Sequence, residues 1–215
     1  MLKRILEFTG ISATTSQQRC PMDNDKSGDI WIYNLKNKTS LKLTNGIGYR
    51  FPVFLNGDKN IVAMQGDSIV QVPLSGGKTK RLYEDDRIIK IVGTDKKDQD
   101  KILLLFEDEE GALLPGILSI VTGKVTYLDY DNESKKDRNM INHVLEQERV
   151  YGDTRIYLKL ESREGLGGVF EWTDVYIKRG DAEPYNISNG DGISCSQPSM
   201  SHDGQKVAFI KISDL

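Results

Sequence analysis

Apolar positions along the chain come in short alternating runs, separated by clusters of Gly, Asn, Asp and Ser. Asp29–Leu35 alternates aromatic and β-branched residues, Lys36–Thr39 is polar, and Ser40–Thr44 alternates again, which reads as a strand, a hairpin loop and a returning strand. The same rhythm continues through Tyr49–Phe54, Asn60–Met64, Ser68–Leu74 and Lys78–Tyr83, with turn residues at Asn56-Gly57-Asp58-Lys59, Gly66-Asp67 and Ser75-Gly76-Gly77. A third set covers Ile88–Val92, Lys101–Phe106, Gly116–Val121 and Lys124–Leu128. A fourth covers Ile141–Leu145, Thr154–Leu160, Asp174–Ile177 and Tyr185–Ser188. Two more strands, Ser196–Met200 and Gln205–Ile212, close the chain. Leu6–Ile11 and Ser12–Gln17 are ambiguous, and only a few residues around Asn139–Glu148 carry a helical period.

The sets repeat. Leu43, Leu82, Leu128 and Ile187 occupy the same place in each last strand, Asp29-Ile30-Trp31-Ile32 matches Asp174-Val175-Tyr176-Ile177, and Leu43-Thr44-Asn45-Gly46 matches Ile187-Ser188-Asn189-Gly190. Pro52 precedes Ile61 by the same interval as Pro198 precedes Val207. Repeats of roughly 40–50 residues, each of four strands, point to an all-β propeller of four-stranded antiparallel blades. The expected domain is a single propeller over residues 1–215 with approximate units 1–46, 47–84, 85–129, 140–190 and a partial 194–215, giving four to five blades. Two arrangements of the ends are open. Ser196–Ile212 completes the first blade with Asp29–Thr44 as a clasp between chain ends, or Leu2–Gln17 completes it and a fifth blade is truncated near Asp214-Leu215.

In these blocks the chain resembles the TolB-like β-propellers. Their Pro-x-x-Ser-x-Asp-Gly-x-x-Ile-Ala-Phe block has its counterpart at Pro198–Phe209, and their Asp-Ile-Tyr strand and Leu-Thr-Asn-Gly close have theirs at Asp29–Gly46. Pro52–Ala63 and Asp174–Gly190 match less fully, and the third unit matches poorly. His202 stands where the family usually has Pro, and Asn56-Gly57-Asp58 replaces the Ser-x-Asp-Gly corner. The resemblance implies an architecture whose members bind proteins, carry peptidase modules or act on sugars, so function must be argued from the site.

Composition narrows the picture. With 38% hydrophobic and 28% charged residues the chain is of the globular class, not the disordered one. The 29 basic and 32 acidic residues give a net charge of -3 with mixed signs, which argues against a nucleic-acid footprint. Lys135, Lys136 and Arg138 are offset by Asp131, Glu133 and Asp137. No apolar run approaches the ~20 residues needed to cross a bilayer, so no membrane insertion is expected. Met1–Leu6 imitates a signal peptide, but Glu7 breaks its apolar run. The compartment stays open between a bacterial cytoplasm and an extracytoplasmic site reached after removal of an upstream signal. Cys20 and Cys195 either pair, if the first and last segments meet, or stay as buried thiols.

Candidate chemistry is sparse. Asp23, Asp25 and Ser27 before Gly28 open like a calcium loop, but Asn34 stands where a bidentate Glu belongs, and a structural turn uses the same residues. Apart from this candidate calcium, no cofactor is expected. His143 and His202 have no partner at metal spacing, and His202 in its corner reads as a surface turn residue. Gly165–Gly168 and Ser75–Lys78 lack the strand–loop–helix context of a phosphate loop. Glu107–Glu110 form a solvated acidic turn. Trp31 is expected to pack between blades, and Trp172, closing a Gly-rich insertion, to be exposed.

The expectation is a non-catalytic binding propeller with another protein as partner, no catalytic residues, and an oligomeric state left open. Its recognition loops are Asp129–Asn139 and Glu161–Trp172, the segments that exceed the repeat length, with Asp131, Glu133, Arg163 and Trp172 as contact residues. Alternatives are a propeller that gates or regulates a hydrolase, a carbohydrate-processing propeller, and a structural envelope domain.

Overall fold

A computed structural model of the chain describes residues 27–46, 48–55, 57–94, 98–128, 150–166, 168–190 and 192–212. These residues form strands and turns only. In chain order the strands are β1 (Gly28–Asn34), β2 (Thr39–Lys42), β3 (Tyr49–Leu55), β4 (Asn60–Gln65), β5 (Ser68–Pro73), β6 (Lys80–Glu84), β7 (Ile88–Thr94) and β8 (Lys101–Glu107). They continue as β9 (Leu113–Ser119), β10 (Lys124–Tyr127), β11 (Val150–Tyr151), β12 (Thr154–Gly165), β13 (Gly168–Arg179), β14 (Tyr185–Asn186), β15 (Cys195–Met200) and β16 (Lys206–Ile212).

Hydrogen bonding sorts them into four antiparallel units of four. They are β15-β16-β1-β2, β3-β4-β5-β6, β7-β8-β9-β10 and β11-β12-β13-β14, and one bridge from Gly28 to Tyr49 joins the first two. The first unit draws on both ends of the described chain: β16 pairs with β1 from Gly28↔Ile212 to Asn34↔Lys206. Of the two arrangements open from sequence, the described residues adopt the clasp. Gly28 is required there, because a Cβ on it would run into the Lys211 carbonyl.

Packing explains why the strands read as they do. Val62 and Met64 of β4 face a cluster with Ile91, Ile102, Leu104 and Phe106 of the third unit. Their neighbours Ile61 and Ala63 face Ile30, Ala208 and Ile210 of the first. Both faces of β4 are therefore buried, as an inner sheet stacked between two others requires. The other face of the first unit, with Tyr33, Val207 and Phe209, packs on Ile156, Val175 and Ile177 of the fourth. Trp31 borders this last cluster, as expected of a residue packed between blades. Sheets of four antiparallel strands, stacked face to face in sequence, make the fold all-β and propeller-like.

The inner strands β3 and β15 repeat one irregularity. Each carries a bulge before or at its proline, with Phe51 and Gln197 both at φ 52, and the Phe51 N–H donates to Gln197 Oε1 at 2.6 Å. The sequence match between Pro52 and Pro198 thus marks a shared backbone shape.

Most strands fall where the alternation predicts. One expectation is corrected: Glu161–Trp172 is not a loop. Its residues extend β12 and β13, which stay paired from Thr154↔Arg179 out to Gly165↔Gly168. The expected strand at Ile141–Leu145, the ambiguous segments before Gln17 and the helical period at Asn139–Glu148 lie outside the described residues.

Candidate binding surface

Two strands of twelve residues, at about 3.3 Å per residue, run roughly 40 Å, well beyond the seven-residue strands of the neighbouring sheets. The excess forms a ribbon. Among the described residues, β11 pairs with β12 only as far as Arg155, and β14 pairs with β13 only at Tyr176 and Ile177. Leu160, Leu166, Val169 and Phe170 on this ribbon are each more than half exposed. Ordinary surfaces carry single exposed apolar residues; here four sit on one projecting element, Leu160 and Val169 on one face of the ribbon, Phe170 on the other and Leu166 at its turn.

The base of the ribbon is fixed by a buried carboxylate. Asp174 Oδ1 accepts from the Ser188 hydroxyl at 2.6 Å and the Gly190 N–H at 2.7 Å, while Oδ2 accepts from Asn186 Nδ2 at 2.8 Å and Trp172 Nε1 at 3.0 Å. Ser188 Oγ in turn accepts the Val175 N–H at 2.9 Å. Burial alone would raise the Asp174 pKa; the bonds from Ser188, Asn186, Trp172 and Gly190 outweigh it and hold the carboxyl below its ordinary range. Next to it, Glu161 accepts from the Tyr176 hydroxyl at 2.6 Å and from Lys159 Nζ at 2.9 Å, and the rings of Tyr157 and Tyr176 stack. Tyr176 and Lys159 hold the Glu161 carboxyl below its usual range. The ribbon therefore leaves the sheet from a well-bonded root and carries its apolar residues outward.

The predicted site residues separate accordingly. Trp172 sits at the root, half-buried, with its indole N–H committed to Asp174, and is not the open stacking surface expected of a loop residue. Arg163 lies on the exposed ribbon directly across from Phe170. Asp131 and Glu133 lie outside the described residues, as do Asp23 and Asp25 of the candidate calcium turn. Ser27 is half-buried just before β1. Among the described residues, no cluster of three His, Cys, Asp or Glu side chains could hold a metal, and no helix is long and apolar enough to cross a membrane. Cys195 is a free, buried thiol that burial pushes up to about 11, whereas Cys20 lies outside the described residues.

Two features escaped sequence reasoning. The exposed Leu160, Val169 and Phe170 announce themselves only once the strands are known to continue. The second is His202, which is enclosed: Nδ1 lies 2.8 Å from Asp58 Oδ1 and Nε2 lies 2.9 Å from Thr94 Oγ1. An aspartate, a histidine and a hydroxyl in line suggest a nucleophile with its base. Thr94, however, donates its single proton to the Phe54 carbonyl at 2.8 Å and is only 2% exposed, so the array is not set for attack on a substrate. At the end of the sheet away from the ribbon tip, Leu35, Lys36, Arg179, Gly204 and Gln205 line a shallow recess of about 320 Å³.

No protein-family model matches the chain, and no curated protein matches it either. Among solved structures it is similar to a putative TolB from Agrobacterium tumefaciens, at 14% identity and a TM-score of 0.41, over 83% of this chain and 59% of that one. It is similar to the β-propeller domain of the Trilobed protease from Pyrococcus furiosus, at 17% identity and a TM-score of 0.38, over 76% of this chain and 50% of that one. TolB from Acinetobacter baumannii matches at 12% identity and a TM-score of 0.39, over 87% of this chain and 47% of that one. The chain thus spans about half to three-fifths of the length of the structures it resembles.

Proposed function

We propose that this protein is a non-catalytic binding module that holds another protein through the β12–β13 ribbon. The observation that carries the reading is the exposure of Leu160, Leu166, Val169 and Phe170 on an element that projects from a rigid root. Rigid placement lowers the ordering cost of association, and a two-stranded ribbon with apolar residues on both faces and at its turn suits insertion into an apolar cleft of the partner. Arg163, Glu164 and Glu171 flank the apolar residues and supply the polar rim such contacts use.

Replacing Ser162–Glu171 by an Asn-Gly turn removes the apolar residues beyond Leu160 and keeps Trp172 on Asp174. Wild type and the shortened protein, each immobilised, are offered a lysate of the source cell, and any captured protein is purified and titrated against both by calorimetry. Saturable binding to wild type that the shortened, still folded protein loses is the expected result. Equal binding by both would reject the ribbon as the contact surface.

A further inference from the structure

The ribbon also has an edge, and the direction of its backbone groups can be read from the strand beside it. Thr173 and Val175 of β13 donate their N–H groups away from β12, to Ser194 Oγ at 3.3 Å and Ser188 Oγ at 2.9 Å. They stand opposite Leu160 and Leu158. Residues directly opposite in an antiparallel pair either exchange both bonds or both turn them outward. Leu158 and Leu160 therefore point their N–H and C=O groups away from β13, and so do Ser162 and Glu164, which follow at the same period. Among the described residues, β11 covers this edge only as far as Arg155.

Edge strands are kept from pairing by prolines, bulges or charges. From Leu160 to Glu164 there is no proline, and the ladder to β13 runs without a shift in register. Charge is the remaining device, and here it is self-complementary. A second strand of the same sequence, turned about a two-fold axis through Ser162, runs antiparallel and sets Glu161 opposite Arg163 on each side of the axis. The same axis sets Ser162 against itself and Leu160 against Glu164, so every residue that points its backbone outward meets another that does. Glu161 and Arg163 share one face of the strand. Both bonds that the Glu161 carboxylate receives, from Tyr176 and Lys159, fall on Oε1, which leaves Oε2 for a further donor.

We propose that β12 pairs with β12 of a second copy of this chain about Ser162, joining the two ribbons into one four-stranded antiparallel sheet. A two-fold contact of this kind closes on itself and stops at two chains. The opposite edge does not offer it: Thr173 is bonded to Ser194, and an axis through Glu171 would set that carboxylate against its own copy. The pairing uses the ribbon's edge, whereas capture of another protein rests on its faces and turn, and neither depends on the other.

Sedimentation of the full-length protein across a concentration series is expected to show a reversible equilibrium between monomer and dimer; a monomer throughout would overturn the proposal. Glu161→Lys sets two cations opposite each other and Arg163→Glu two carboxylates, so each variant alone is expected to lose the dimer. Mixed in equal amounts they restore opposite charges across the axis, and a dimer holding one of each is expected. Variants that dimerise alone as wild type does would overturn the pairing, as would a mixture that stays monomeric while both variants keep the wild-type strand signal in circular dichroism. Ser162→Pro reads the contact through the backbone. The N–H it removes points away from β13, so the hairpin keeps its own ladder. One bond per chain is lost across the axis, and dimer affinity should fall at least about tenfold. Unchanged association of Ser162→Pro would also overturn the pairing.

Discussion

The first and fourth sheets solve one local problem with one device, and they differ in what they attach to it. In the first, Asp29 Oδ1 accepts from the Thr44 hydroxyl at 2.9 Å and the Gly46 N–H at 2.8 Å, and Thr44 Oγ1 accepts the Ile30 N–H at 2.9 Å. In the fourth, Asp174, Ser188, Gly190 and Val175 repeat these bonds one for one. Each carboxylate fastens the chain after the outer strand to the strand beside it, where the ladder has ended and backbone donors would otherwise be buried without partners. The second carboxylate oxygen tells the two apart. That of Asp29 meets Lys42 Nζ at 2.7 Å, a side chain 41% exposed, whereas that of Asp174 meets Asn186 and Trp172. One sheet spends its spare acceptor on a solvated cation, the other on rooting a ribbon.

The largest expected consequence concerns the carboxylates themselves. Asp174→Ala leaves four donors short of an acceptor around a 2% exposed position and is expected to cost about 3–4 kcal/mol, since stranded buried donors cost about 1–3 kcal/mol each before relaxation. Asp29→Ala strands two, because Lys42 can turn to water, and is expected to cost about 2 kcal/mol. Urea denaturation of both variants measures the order; equal costs would mean that the ribbon root adds nothing to the fourth sheet.

The space around the paired glycines sharpens the comparison next. A Cβ on Gly190 would overlap the Ile193 carbonyl and the Asp174 carboxylate, whereas nothing lies within 4 Å of one on Gly46. Gly190→Ala is therefore expected to cost about 2 kcal/mol by overpacking, and Gly46→Ala to stay within about 0.5 kcal/mol. Thermal melts of the two variants side by side would show it. A neutral Gly190→Ala would place the chain after β14 further from Asp174 than described.

Much of this device was legible in the sequence. Asp29-Ile30-Trp31-Ile32 with Leu43-Thr44-Asn45-Gly46 stands out against Asp174–Ile177 with Ile187–Gly190 because the bonded groups lie within seventeen residues of one another. The ribbon was not legible. From Glu161 to Glu171 hardly any side chain is buried, so the period-2 contrast that marks a strand is missing, and three glycines favour a loop reading. His202 hid for a different reason: Asp58 is 144 residues away and Thr94 is 108. A clue existed in the two departures from the TolB-like pattern, His202 and Asn56-Gly57-Asp58, which turn out to supply the two sides of one contact. Trp31 was read as an inter-blade residue from its alignment with Tyr176 and the area an aromatic ring buries, and it borders the cluster on the face opposite Ile30 and Ile32.

Acid tests both devices together. Burial pushes the Asp29 and Asp174 carboxyls up; their bonds, from Lys42, Gly46 and Thr44 in one and Ser188, Asn186, Trp172 and Gly190 in the other, more than reverse this. A carboxyl whose folded pKa lies below its unfolded value contributes stability in full above the unfolded value, about 3.9 for aspartate, and loses it as pH falls through the folded one. Stability should drop as pH falls below about 4, and Asp29→Asn or Asp174→Asn should flatten that drop. An unchanged acid limb in both variants would show that other carboxylates govern it.

The smallest effect separates the two sheets most cleanly. Lys42→Met removes a pair of which one member is largely solvated, so the expected cost is within about 1 kcal/mol. Its salt dependence matters more than its size. Mobile ions screen an exposed ammonium but not an indole N–H bonded to a buried carboxylate. Raising salt from about 0.05 M to 0.5 M should therefore shrink the gap between wild type and Lys42→Met, while the gap between wild type and Trp172→Phe stays constant. Melting temperatures of the three proteins across that range measure it. Parallel behaviour would mean that Trp172 and Lys42 act on their carboxylates in the same way, and the contrast between a solvated counter-ion and a rooted ribbon would have no energetic basis.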